Sequence, residues 1–149
     1  MSAAGLEERL LVWRSLLYVP ANNQRFIDKA HTRGADAIIL DLEDSVPAAE
    51  RDRARAMLAD SAAKASQSGA DVVVRINRPD ADAKSDLDAT VIAGVDALML
   101  PKVDDAKHVL ALADAVEKLE GERGLASGGI RFVVMVESPA ALFKADEIA

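Results

Sequence analysis

One short phrase recurs along this chain and limits its fold more than any other feature. Arg33-Gly34-Ala35-Asp36, Ser68-Gly69-Ala70-Asp71 and Ala93-Gly94-Val95-Asp96 each follow a helix-like segment and precede an aliphatic run. A glycine just past a helix end takes the left-handed conformation that closes the last turn. The runs over 37–42, 72–76 and 97–100 are short and almost continuously apolar, and those over 16–19 and 132–136 match them. Such runs are expected of parallel strands covered on both faces.

Helical patterns separate the runs. Asn22 or Asn23 suits the cap of a first helix that buries Phe26, Ile27 and Ala30. Pro47 suits a first helical turn, ahead of Ala54, Met57, Leu58, Ala62 and Ala65 at helical spacing. A weaker helix is expected over 87–92. Ala106, Val109, Leu110, Ala113 and Val116 make an amphipathic stripe in a fourth. Ser138-Pro139 reads as the cap and first residue of a fifth, and 121–129 as a glycine-bearing connector.

The order is therefore strand–helix repeated, with strands starting near 14, 36, 71, 96 and 131. The mean unit is about 29 residues, against about 31 in a (β/α)8 barrel of roughly 250 residues. Two α/β architectures fit these elements. One is part of a barrel, with strands in the order 1-2-3-4-5. The other is a doubly wound, flavodoxin-like sheet in the order 2-1-3-4-5.

Composition removes several function classes. With 149 residues, half of them hydrophobic, the chain can bury a core, and the absence of cysteine excludes a disulfide scaffold or thiolate metal site. A formal charge of −7 is not the basic footprint of a nucleic-acid binder. No apolar run approaches the roughly 20 residues that span a bilayer. Glu7 and Glu8 precede the first apolar patch, which is the wrong pattern for secretion. These features point to a soluble cytoplasmic domain that engages neither nucleic acid nor membrane.

Side chains alternate along a strand, so parity sorts them by face. Ile38, Leu40 and Leu42 share one face, with Ile39, Asp41 and Glu43 on the other. Val72, Val74 and Ile76 oppose Val73, Arg75 and Asn77, and Val133, Met135 and Glu137 oppose Phe132, Val134 and Val136. One face of each strand thus begins apolar and ends polar at the C-terminal end, where parallel α/β folds place their chemistry. Asp41, Glu43, Asp44, Arg75, Asn77, Lys102 and Glu137 all fall at or just past such ends. Carboxylates with water suit Mg²⁺, and an arginine fork suits a substrate carboxylate. Plainer readings stay open: Asp44 or Ser45 as a helix cap, Arg75 paired with one of the acids, Glu137 as an exposed strand end, Lys102 as a rim charge. His31 and His108 read as surface or packing residues, and Met99 and Met135 as core filler.

Five ordered motifs go further. Arg14-Ser15-Leu16-Leu17-Tyr18-Val19-Pro20 comes first, then Gly34 through Val46 with Leu40-Asp41-Leu42-Glu43-Asp44 at its centre. Val74-Arg75-Ile76-Asn77, Leu100-Pro101-Lys102-Val103 and Val136-Glu137-Ser138 complete the set. Together they resemble the citrate lyase beta-subunit-like branch of the HpcH/HpaI aldolase family, from Arg14 to Ala149. The resemblance implies a Mg²⁺-dependent carbon–carbon lyase on a TIM barrel, assembled as homotrimers or hexamers. It further implies cleavage of a 3-hydroxyacyl thioester, such as citryl-, malyl- or citramalyl-CoA or an acyl-carrier form, to an α-keto acid and an acyl thioester.

Residue by residue, the resemblance puts the metal-binding glutamate at Glu137 and the substrate-carboxylate arginine at Arg75. Its acidic pair near the metal waters falls on Glu43 and Asp44, which with Arg75 are the implied catalytic residues, Glu43 being the candidate base. Arg14 and Lys29 fall on positions that hold the substrate or the coenzyme phosphates, beside Arg75 and Glu137. The family's second metal ligand, an aspartate after the sixth strand, would lie past Ala149, and Ala21 stands where the family has glycine. The expectation is a partial TIM barrel over 14–149, truncated before strand 6, behind an N-terminal extension over 1–13. Such a chain is expected to be inert or to depend on another polypeptide. Competing readings are a complete flavodoxin-like Mg²⁺-binding regulatory module and a catalytically dead thioester-binding subunit.

Overall fold

The computed structural model describes residues 12–78 and 80–149. Its strands are β1 (Leu16–Pro20), β2 (Ala37–Asp41), β3 (Asp71–Arg75), β4 (Ala97–Leu100) and β5 (Arg131–Val134). They form one parallel sheet in the order β1-β2-β3-β4-β5. That order excludes the flavodoxin-like alternative, in which the first strand lies between the second and third. The helices are α1 (Gln24–Ala30), α2 (Arg51–Ala65), α3 (Asp80–Thr90), α4 (Ala106–Glu122), α5 (Pro139–Leu142) and α6 (Ala145–Ile148).

The two faces of the sheet are covered differently. Ile38, Leu40, Leu42, Val72, Val74, Ile76, Leu98 and Leu100 pack with helix residues such as Ile27, Ala54, Leu58, Ala62 and Val116 in one large cluster. The opposite face carries a smaller cluster of Ala37, Ile39, Val73, Ala97 and Met99, joined among the described residues by Trp13, Val133 and Met135 and by no helix residue. Helices on one side of a sequentially ordered sheet are the barrel arrangement. The sheet is also strongly curved. Three strand spacings would separate β1 from β4 by about 14 Å in a flat sheet. Yet the Tyr18 hydroxyl on β1 donates to Met99 Sδ on β4 at 3.0 Å.

The recurrent phrase acts at two levels. Gly34 and Gly69 end short helical turns at φ +71° and +84°, where an L-residue would be strained, and Gly94 repeats the conformation at +91°. The aspartate two residues on then ties down the start of a neighbouring strand. Asp36 accepts the N–H groups of Arg14 and Ser15 at 2.9 Å, and Asp96 accepts that of Val72 at 2.8 Å. Asp71 accepts the indole N–H of Trp13 at 2.7 Å. The expected extension over 1–13 lies outside the described residues as far as residue 11, while Trp13 packs on the inner face of the sheet.

Several local expectations shift. Asn23 is the first cap, its side chain accepting from Phe26 N–H. Phe26 itself stays half exposed, and α1 buries only Ile27 and Ala30. Leu110, included in the α4 stripe, faces outward, while Val116 is buried. Pro47 precedes a single 3-10 turn, Ala48–Glu50, and α2 begins after it. The weak third helix is longer than expected and starts at Asp80; ion pairs to α2 hold its first turns, beside the buried Ala83 and Leu87. Arg51 bonds Asp82 at 2.8 Å, and Arg55 bonds Asp86 at 2.7 Å and Asp82 at 3.2 Å. The Ser138 cap and Pro139 at the first turn of α5 match the sequence reading.

Leu58 is fully buried between α2 and the sheet, whereas Leu110 is exposed. Leu58→Ala is expected to lower the free energy of unfolding by about 3 kcal/mol. Leu110→Ala should change it by less than about 0.5 kcal/mol. Urea titrations of both variants measure the contrast.

Candidate active site at the C-terminal rim

The chemistry-bearing residues converge because the β2–β3 register puts Asp41 directly beside Arg75. Parallel strands in register end together, so the last residues of β2 and β3 face each other on the sheet's inner side. Asp41 accepts Arg75 Nε at 2.8 Å on Oδ1 and Nη2 at 2.7 Å on Oδ2. This is the side-on bidentate pair for which the guanidinium geometry is suited. The same carboxylate accepts the Glu43 N–H at 2.9 Å, the Ser45 N–H at 3.2 Å and the Ser45 hydroxyl at 2.6 Å. Asp41 therefore folds the β2–α2 loop back over the strand end and holds Arg75 at the same time. Both sides of the pair are buried, at 2% and 11% side-chain exposure.

Arg75 is further constrained. The Tyr18 ring lies under it, 5.0 Å from ring centre to guanidinium carbon. Nη1 sits 3.2 Å from Asp44 Oδ2 and 3.2 Å from Glu43 Oε2. Its hydrogen bond to Asp41 raises its pKa against the opposing effect of burial, so the charge is permanent. Burial raises the Tyr18 pKa, partly offset by Arg75. Burial also works to raise the Asp41 carboxyl, but the bonds from Arg75, Ser45 and Glu43 N–H outweigh it, and its pKa is lowered.

A second cation extends the cluster. Lys102, just past β4, donates from Nζ to Glu43 Oε1 at 2.6 Å and lies 3.6 Å from Asp44. Glu43 raises its pKa. The Lys102 backbone N–H donates to Glu137 Oε1 at 2.7 Å. Contacts thus run without a break from Arg75 through Glu43 and Lys102 to Glu137, across the ends of β2, β3, β4 and β5. Glu43 is 4% exposed, and its Oε2 makes no hydrogen bond, only the ion-pair contact with Arg75. Asp44 is 64% exposed.

The structure brings Arg75, Glu43, Asp44 and Glu137 together, but it does not bring Arg14 to them. Arg14 stands at the opposite, N-terminal end of the strands, where Nη2 bonds Asp36 Oδ1 at 2.9 Å. Asp36, just before β2, captures both the backbone and the guanidinium of Arg14. A five-residue strand, about 17 Å long, separates that end from the rim. Lys29 is exposed on α1 and lines a groove of about 230 Å³ outside β1, with Tyr18, Pro20, Phe26 and Arg33.

Three residues that act here had no assigned role in the sequence reading. Asp41 was visible there as a strand-end acid whose parity matches Arg75; its dominance comes from register, which parity alone does not give. Asn77 and Asp86 form the third layer. Asp86 on α3, fully buried, accepts the Asn77 N–H at 2.6 Å and its Nδ2 at 2.9 Å, and Arg55 holds Asp86 from α2. Asn77 Nδ2 also donates to the Leu42 carbonyl at 2.8 Å, clamping the chain between Asp41 and Glu43.

A family model for HpcH/HpaI aldolase/citrate lyase matches residues 14–149. The chain belongs to this family. Citrate lyase subunit beta of Leuconostoc mesenteroides subsp. cremoris is 36% identical over 137 residues, covering 91% of this chain and 45% of the relative. The Escherichia coli (strain K12) subunit is 34% identical over 151 residues, covering 100% of this chain and 50% of its own length. (3S)-Malyl-CoA thioesterase of Cereibacter sphaeroides (strain ATCC 17029 / ATH 2.4.9) is 38% identical over 108 residues, covering 72% of this chain and 38% of that protein. The chain spans about half the length of the citrate lyase subunits it matches. Among solved structures, protein CitE from Mycobacterium tuberculosis in complex with magnesium and pyruvate aligns with TM-score 0.69 at 30% identity, covering 94% of this chain and 51% of that one. Haloferax volcanii malate synthase aligns with TM-score 0.83 at 14% identity over 94% of this chain and 45% of its own, which is a likeness of fold.

Asp41 also sets an acid dependence. A carboxyl whose folded pKa is lowered stabilises the fold fully above its unfolded pKa, about 3.9, and loses that contribution as pH falls through the folded value. Unfolding free energy measured from pH 6 to pH 2 should fall with this component, and Asp41→Asn should remove it. Asp41→Ala leaves Arg75 without its main partner and is expected to cost about 3 kcal/mol at neutral pH.

Proposed function

We propose that this chain carries the Arg75–Glu137 portion of the active centre of a magnesium-dependent carbon–carbon lyase. On this reading a 3-hydroxyacyl thioester, of the citryl-, malyl- or citramalyl-CoA kind or carried on an acyl carrier protein, is cleaved to an α-keto acid and an acyl thioester. The supporting observation is the unbroken run of contacts from Arg75 to Glu137 at one end of a curved sheet. A carboxylate, a permanent guanidinium and a metal-ligand candidate stand there within reach of one small substrate.

The donor chemistry fits the metal. Among the described residues no three His, Cys, Asp or Glu side chains form a metal-binding group by themselves. Mg²⁺ needs only one or two protein carboxylates and keeps several waters. Glu137, exposed at the rim, is the residue that would hold it. When bound, the ion supplies positive charge to the oxygens of the keto acid and the developing enolate.

Each protein group has a distinct task. Asp41 occupies the Nε–Nη2 side of Arg75, so the Nη1–Nη2 end of the fork remains for the substrate carboxylate. Asp44 touches that end from an exposed position and would yield its place to the substrate. Glu43, with one oxygen free of hydrogen bonds, takes the proton of the substrate's 3-hydroxyl. Removal of that proton drives cleavage between the carbinol carbon and the thioester α-carbon, and the electron pair passes to the enolate. Lys29, outside β1, would bind a thioester's phosphates rather than its reacting end. A homotrimeric or hexameric full-length form and a cytoplasmic location belong to the same proposal, resting on family membership. So does the inertness of the 149-residue chain when isolated.

The test uses the full reading frame that contains these residues, assayed with Mg²⁺ and the three CoA thioesters for α-keto acid release. Arg75→Ala should reduce kcat/KM by about a hundredfold or more. Arg75→Lys should fail to restore it, because an ammonium cannot serve Asp41 and a substrate carboxylate together. Near-normal turnover in Arg75→Ala overturns the assignment. Thioester binding without any turnover in the unaltered protein instead favours a non-catalytic binding subunit.

A further inference from the structure

Lys102 is the one non-glycine residue among the described residues with positive φ, at +49°. Left-handed backbone is unfavourable for a residue with a Cβ, and it persists only where the surroundings enforce it. Pro101 before it has its own φ locked by the ring, so adjustment at this point falls on Lys102. What enforces the conformation is visible at the other end of the side chain. The ammonium reaches Glu43 Oε1 at 2.6 Å, and Glu43 is itself buried and in contact with Arg75. What the conformation achieves is visible at the backbone: the Lys102 N–H meets Glu137 Oε1 at 2.7 Å.

We propose that Lys102 is a positioning residue that couples Glu43 to Glu137, its ammonium pinning a strained backbone whose N–H holds the Glu137 carboxylate. The two carboxylates come from the ends of β2 and β5, which do not touch along the sheet. Lys102 gives them a fixed spacing through one residue. A change at Glu43, such as its engagement with a substrate hydroxyl, then alters how firmly Glu137 is held. The significance of the coupling rests on the lyase reading above, but its existence does not.

Hydrogen exchange at the residue 102 amide of the 149-residue chain, followed by proton–nitrogen NMR, reads the coupling directly. Lys102→Met cuts the anchor and Glu43→Gln weakens it by removing its charge, and both leave the strain, so exchange there should accelerate by about tenfold in the first, the factor that matches the left-handed penalty, and by a smaller factor in the second. Lys102→Arg should preserve protection. Lys102→Gly should preserve it too, alone or combined with Glu43→Gln, because glycine holds positive φ without an anchor. The amides of Val74 and Leu98, in the core, report global loosening. If they accelerate together with residue 102 in Glu43→Gln, the comparison of Lys102→Gly with Lys102→Met in the otherwise unaltered chain decides the matter. Unchanged exchange in Glu43→Gln, or equal acceleration in Lys102→Gly and Lys102→Met, overturns the proposal. Titration of the full reading frame with Mg²⁺ alone separates the two readings. No response at the Glu137 amide sinks its role as metal ligand and leaves the exchange result standing.

Discussion

The Asp41–Arg75 pair organises everything around it. It joins neighbouring strand ends, closes the β2–α2 loop through Glu43 and Ser45, and presses the guanidinium onto Tyr18. A buried ion pair contributes little net stability compared with a well-packed apolar pair, because desolvation offsets most of the attraction. Its effect is geometric. Once both Asp41 oxygens are committed to Arg75 and the loop, the rest of the rim has few arrangements left.

Curvature is what turns a row of strand ends into a mouth. Among the described residues, helices cover one face of the sheet, and the other face bends far enough for Tyr18 to reach Met99. In a flat sheet of the same register, Glu43 and Glu137 would stand three strands apart, beyond the span of one lysine. Lys102 bridges them, its N–H meeting Glu137 from the neighbouring strand and its ammonium reaching across to Glu43. Behind the rim, Arg55, Asp86 and Asn77 carry the fixation from the helices to the Leu42 carbonyl, so the loop bearing Glu43 is held on both sides.

Much of this was legible in order and parity. The strand–helix alternation, the glycines at left-handed turns, the inner and outer faces of β2, β3 and β5, and the polar ends carrying Glu43, Arg75 and Glu137 all follow from local rules. Local rules misled where a residue has one face toward the core and another toward solvent, as at Phe26 and Leu110, or where ion pairs extend a helix beyond its apolar stripe, as in α3. They also gave no signal for Arg14, whose partner Asp36 is distant in sequence and acts at the far end of the sheet.

By itself, then, the sequence determined which residues enter each strand and which of them point inward, because alternation and helical spacing are properties of neighbouring residues. Only the tertiary structure decided strand order, the depth of the bend and the identity of each charge's partner. Those depend on contacts between segments separated by tens of residues, whose energies no local pattern records. Asp41 shows the division plainly: its place at the end of β2 is written in the chain, and its choice of Arg75 over open water is made by the sheet.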